Sequence, residues 1–275
     1  MKQVNKSALR IGIGGLILLA CLMIAFWPRR AVPPPAPPKG AHKPVLVPTT
    51  LAFPKGRGKI AIVLDDWGYG LRQLPTLKTI RRPLTIAVLP SLPYSTRVAQ
   101  EAQAHGYEVI LHLPMEPKDP SASREQETIL IGMSNQQIQK ILQESFRSVP
   151  FAKGINNHQG SKATTDRALM EVVLNEVKRR DLYFLDSRVT ESSVCGDVAR
   201  GLKVRYARRN VFLDNDKTPE RIRQRLVELA RLAAHEGSAI GIGHDRPNTL
   251  RALQEAVPAL EKAGYTLVSA SELAQ

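Results

Sequence analysis

Lys59-Ile-Ala-Ile-Val-Leu-Asp-Asp-Trp-Gly-Tyr-Gly70 decides the fold. Five apolar residues, Ile60 to Leu64, run directly into two adjacent carboxylates, Asp65 and Asp66. A run that short, rich in Ile and Val and followed by a glycine-bearing turn, predicts a fully buried parallel strand. The two acids then emerge at its carboxyl end, the edge where α/β folds gather ligands and chemistry. Like charges at such close range push one pKa up, although a strand end finished by two solvated acids is the plain alternative.

Outward from this stretch, apolar runs alternate with amphipathic ones to the end of the chain, the pattern of a parallel sheet or barrel. Further strands are expected at 84–89, 108–112, 154–158, 182–185, 211–213, 239–243 and 265–268. Helices are expected from Ser95 to about His105, from a Ser134–Gln137 capping box to Ser148, from Thr165, from a Thr218 cap with Pro219 at N1, and from Leu250 to Ala263. The strand ends share one feature. They release Asp65-Asp66, His112, Asn157-His158, Asp186, Asp214 and His244-Asp245. Ionisable residues at the carboxyl ends of successive apolar strands are the layout of a catalytic β/α barrel. Three of the six histidines stand there, while His42, His105 and His235 fall in a linker or near helix ends. Carboxylate and imidazole ligands around an open position suit zinc first, with cobalt, manganese or nickel as alternatives.

The chain carries 39 Lys and Arg against 25 Asp and Glu, a net charge of +14. Residues 1–58 hold nine of those cations and no acid, so the remaining 217 residues carry 30 against 25, a net of +5. The excess belongs to the N-terminal segment and not to a folded basic face, and no nucleic-acid partner is expected. Within that segment, a basic start precedes seventeen uncharged, mostly apolar residues from Ile11 to Trp27, closed by Pro28-Arg29-Arg30. Residues 1–30 therefore read as an uncleaved signal anchor or transmembrane helix, with export after cleavage as the alternative. Nine prolines from Pro28 to Pro54, eight of them within 31–58, make that segment an extended spacer. The expected location is the inner membrane, with a 59–275 domain on the periplasmic side, the membrane and an envelope glycan as partners, and an envelope protein as a further candidate. Cys21 and Cys195 are the only cysteines, so neither a domain disulfide nor a cysteine metal site is expected.

Over 59–275 these residues resemble the divergent polysaccharide deacetylases of the NodB-like superfamily. Leu64-Asp-Asp-Trp-Gly68 is similar to the first motif of that family, Gly106-Tyr-Glu-Val-Ile-Leu-His112 to the second, and Gly243-His244-Asp245 to the late one. His112-Leu-Pro-Met-Glu116, Asn156-Asn-His-Gln-Gly-Ser161 and Gly243-His-Asp-Arg-Pro247 are similar to signatures of the divergent branch. The resemblance implies an irregular β/α barrel of about seven parallel strands and metal-dependent removal of acetyl groups from N-acetylated sugars. It implies Asp65 as general base, His244 as general acid, and Asp66 and His112 as metal ligands. Glu116 stands where the second motif histidine is usual, so the third ligand is Glu116 or His158. His158, which tops its own strand, is favoured, with Glu116 behind it or in its place. The arginine motif that orients the base is missing, and Arg188 or Arg246 is a candidate substitute, each equally readable as a surface ion pair. Trp67, Tyr69, Asn156, Asn157, Asp186 and Asp214 are candidates for substrate contact, as are Arg188 and Arg246. A catalytically inactive, deacetylase-like binding or regulatory protein is the competing reading.

Overall fold

The computed structural model describes residues 52–122 and 125–275, so the anchor expected at 1–30 and most of the spacer lie outside the described residues. Among them nine parallel strands form one sheet: β1 Gly58–Trp67, β2 Thr85–Val88, β3 Glu108–Met115, β4 Gly154–Gln159, β5 Tyr183–Asp186, β6 Arg205–Arg208, β7 Val211–Phe212, β8 Ser238–His244 and β9 Tyr265–Val268. Their order is β6-β5-β4-β3-β2-β1-β8-β7, with β9 also pairing β1. Among the described residues no pairing joins β6 to β7, so the sheet is a parallel half-barrel. The expected count of about seven strands is thus corrected to nine.

Side-chain parity explains both the core and the placement of the site. Successive residues of a strand point to opposite faces. Ala61 and Val63 of β1, Ile110 of β3, Tyr183 and Leu185 of β5 and Ile240 and Ile242 of β8 fill the concave interior. Ile60, Ile62, Leu64, Val109, Leu111, Leu113 and Phe184 face the other way, into the larger core beneath the helices. Counting on by two from the interior residues reaches Asp65, His112, Ser187 and His244. Register then sets neighbours: Asp65 lies beside His244 across β1 and β8, and His112 beside Asn156 across β3 and β4.

Among the described residues seven α-helices cover the outer face: α1 Leu74–Leu77, α2 Ser95–Ala104, α3 Asn135–Ser148, α4 Arg167–Arg179, α5 Cys195–Leu202, α6 Pro219–Glu236 and α7 Pro247–Ala263. The reciprocal Ser134–Gln137 capping box forms at α3. The helix expected from Thr165 begins two residues later, because Asp166 is the N-cap and accepts from the Leu169 N–H at 2.9 Å. Thr165 closes a short 3₁₀ turn instead. Ile222, Leu226, Leu229 and Ala233 form the buried stripe of α6.

Candidate metal centre

Parity alone would send Asp66 away from Asp65, into the outer core. The backbone prevents this. Asp66 has φ +65°, and the pairing of β1 with β2 slips between Leu64 and Trp67. Aspartate is among the few non-glycine residues that tolerate the left-handed region, and a strand irregularity here re-aims a side chain at a site. Both carboxylates therefore face the mouth of the half-barrel. Trp67 takes the outer position instead and is completely buried.

Three donors converge beside them. Asp66 Oδ1 lies 3.3 Å from His112 Nε2 and 3.2 Å from His158 Nδ1, and those two nitrogens are 3.1 Å apart. Ligand bonds of about 2.0–2.2 Å around one divalent ion set neighbouring ligand atoms about 3.0–3.5 Å apart, so the triangle has the dimensions of a metal face. Among the described residues Asp66 Oδ1 is buried and has no hydrogen-bond partner, which is costly for a buried acceptor. The donor set of one carboxylate and two imidazoles fits a divalent ion such as zinc. Asp66, His112 and His158 would hold it. Glu116 is occupied elsewhere, accepting from Lys162 Nζ at 2.7 Å and from the Ile131 N–H at 2.8 Å.

Electrostatics divide the two aspartates. Burial raises the Asp65 pKa more than His112 and His244 lower it, since Asp65 is only 2% exposed and lies beside Asp66. Burial also works against ionised Asp66, but its contacts with His112 and His158 outweigh it and hold that carboxyl well below the usual range. One acid is kept charged and the other is kept basic. On the opposite wall, His244 donates from Nδ1 to Asp214 Oδ1 at 2.7 Å, leaving Nε2 3.8 Å from Asp66 Oδ2. Burial lowers the His244 pKa, yet the Asp214 carboxylate more than reverses this and raises it. Asp214 is pinned in turn by the His244 backbone N–H and the Thr249 hydroxyl.

The remaining candidates fall into two groups. Trp67, Asn156, Asn157, Asp186 and Asp214 are buried, and a sugar has no access to them. Asn157 binds the Ser187 N–H and the Gln159 carbonyl, and Asp186 accepts from the Arg188 N–H, Ser193 and Tyr206. Asn156 Nδ2 donates to Asp65 Oδ1 at 2.8 Å. Neither candidate arginine orients Asp65: Arg188 pairs with Glu191, and Arg246 donates to the Asp214 carbonyl. The exposed aromatic at the mouth is Tyr69, 56% exposed, its hydroxyl donating to Glu125. Sequence reasoning passed over Arg209. Its guanidinium lies 3.7 Å over the Phe212 ring, which stacks on His244, and it donates to the Ser187 and Arg188 carbonyls. It follows a four-residue strand that the hydrophobic pattern does not mark, so no local signal pointed to it.

Comparison with known proteins matches residues 62–274 to the family described as divergent polysaccharide deacetylase. The uncharacterized protein YibQ of Escherichia coli K12 is 38% identical over 225 residues, covering 81% of this chain and 69% of its own length. An uncharacterized protein of Agrobacterium tumefaciens C58 has a similar solved structure, with a TM-score of 0.74 at 24% identity over 81% of this chain and 93% of that one. The catalytic domain of a peptidoglycan N-acetylglucosamine deacetylase from Eubacterium rectale shares the fold at a TM-score of 0.50 and 18% identity, over 82% and 94% of the two chains.

Proposed function

The chain belongs to the divergent polysaccharide deacetylase family, and from that premise we propose that it is a metal-dependent hydrolase removing acetyl groups from an N-acetylated glycan of the cell envelope. The observation that carries this reading is the Asp66–His112–His158 triangle with a raised-pKa carboxyl, Asp65, on one side and His244 on the other. A bound divalent ion supplies polarisation of the amide carbonyl and brings the pKa of water down to about 7.

The chain's own residues do the rest. Asp65, with one oxygen held by Asn156, takes a proton from the attacking water at its other oxygen. His244, charged through its Asp214 contact, gives the Nε2 proton to the departing sugar nitrogen as the C–N bond breaks. Acetate and a free amine leave, and the water has been consumed. Tyr69 supplies an exposed ring on which a sugar face stacks. Residues 1–30 tether the domain to the inner membrane, with 31–58 as spacer.

The test uses the full chain, stripped of metal and reloaded with zinc, cobalt, manganese or nickel. Acetate release is followed from chito-oligosaccharides and peptidoglycan fragments. Metal-dependent release that Asp65→Asn abolishes is the expected result. Tight metal binding with no release from any substrate would turn the reading to a binding protein.

A further inference from the structure

The metal-facing nitrogen of His112 and the orientation of Asp65 depend on the same buried group. Asn156 is completely buried at the centre of β4. Its Oδ1 accepts from His112 Nδ1 at 2.8 Å, and its Nδ2 donates to Asp65 Oδ1 at 2.8 Å, with Ser187 Oγ at 3.5 Å as the second acceptor. Among the described residues, this is the one side-chain amide or hydroxyl that hydrogen-bonds Asp65. The chemistry of the three partners fixes which way the amide points. The reverse orientation would set the amide oxygen against the Asp65 carboxylate, two acceptors at hydrogen-bond distance.

With its oxygen toward His112, Asn156 requires a proton on Nδ1. Nε2 then presents its lone pair to the point shared with Asp66 and His158. We infer that Asn156 is a positioning residue that couples the two halves of the centre, presenting His112 Nε2 as a metal ligand while holding Asp65 against the same wall. Partners behind a metal-bound histidine set its tautomer and raise its basicity, and their loss typically weakens metal binding by about 10–100-fold. Here the partner also holds the candidate base, so one amide serves ligand and base together. Packing puts it there: His112 and Asn156 are register partners, and Asn156 points inward by parity with Gly154 and His158.

This inference rests on the metal-centre reading but not on any turnover. Its two halves separate chemically. In Asn156→Asp the new carboxylate still accepts from His112 Nδ1 but, once both acids are ionised, has no hydrogen to give Asp65. In Asn156→Ala both bonds are lost. The experiment measures zinc affinity of the full chain by competition with a chromophoric chelator, and solves zinc-loaded crystal structures of the wild type and Asn156→Asp. Zinc affinity is expected to fall about 10–100-fold in Asn156→Ala and to stay within about threefold of wild type in Asn156→Asp. The crystal structure of Asn156→Asp, grown at alkaline pH so that the two acids share no proton, should show the Asp65 carboxylate turned away from residue 156. A merely structural asparagine would not give this rescue by the isosteric acid. Equal zinc affinity in the wild type and Asn156→Ala, equal loss in both variants, or an unmoved Asp65 would overturn the inference. Failure of the deacetylase reading would look different, as absent acetate release with these zinc affinities intact.

Discussion

At the scale of single residues, the candidate centre holds neighbouring groups in opposite charge states. The Asp214–His244 pair is the clearest case. Burial opposes ionised Asp214, but its bond to His244 outweighs this and depresses its pKa below the ordinary 3.8. Its contribution to stability is therefore present above the ordinary carboxylate range and lost as pH falls through the folded value. His244 runs the other way, raised from 6.5, so its contribution is complete below that value and lost as pH rises through the raised one. The stability gap between wild type and Asp214→Asn should accordingly be widest between about pH 4 and 6.5 and close on both sides. Asp214→Ala should cost about 3 kcal/mol, the low end for breaking a buried pair, because His244 keeps some solvent contact. Urea unfolding across pH reads both; a gap that ignores pH would show that the pair is not ionised. The aspartates themselves separate by role. Asp66→Ala should lose metal, and Asp65→Asn should keep it while losing hydrolysis, as paired metal titration and acetate assays would show. Which residues gather was legible in the sequence, because each stands at the carboxyl end of an expected strand. What each touches was not, since the Asn156 contacts depend on strand register and Asp66 depends on a backbone turn at φ +65°.

At the scale of elements, strands with continuous apolar runs were readable and short amphipathic pieces were not. β6 is Arg-Tyr-Ala-Arg, four residues with one buried position, and it carries no run to detect. The four-residue α1 and eight-residue α5 are too short to establish a helical period. The element that matters most to the site is β4, which carries both Asn156 and His158. It begins at Gly154, where an added Cβ would stand 2.6 Å from the Tyr183 ring. That ring is fully buried and its hydroxyl donates to Glu108, so it has little room to retreat. Gly154→Ala must then push β4 away from β5. The expected cost is about 1–3 kcal/mol for overpacking, together with weaker zinc binding, since a shift of a few tenths of an ångström disturbs the ligand triangle. Thermal unfolding and chelator competition on the one variant test this; lost stability with unchanged zinc affinity would mean that β5 yields instead of β4.

At the scale of the whole molecule, the domain has two distinct ends. The chain enters at the amino edge of the sheet, where the Gly56 N–H binds the Ala263 carbonyl and Pro54 accepts from the Tyr265 hydroxyl. The candidate metal centre lies at the carboxyl edge, a full β1 strand away, about 30 Å at 3.3 Å per residue. The proposed attachment of the chain to a membrane is an apolar helix inserted from within residues 1–30. Charge gives a rival account of membrane contact, because residues 1–58 hold nine cations and no acid and could adsorb to anionic lipid without inserting. Among the described residues no helix is long and apolar enough to cross a membrane, so the distinction rests on residues 11–27 alone. Salt separates the two accounts. At 1 M the screening length shrinks to about 3 Å, and an adsorbed basic segment detaches, whereas an inserted apolar helix does not. The full chain should therefore stay with the membrane fraction through a 1 M salt wash and leave only with detergent. Removal of residues 1–30 should release the domain to the soluble fraction. Release of the full chain by salt alone would replace insertion with adsorption, and the anchor reading with it.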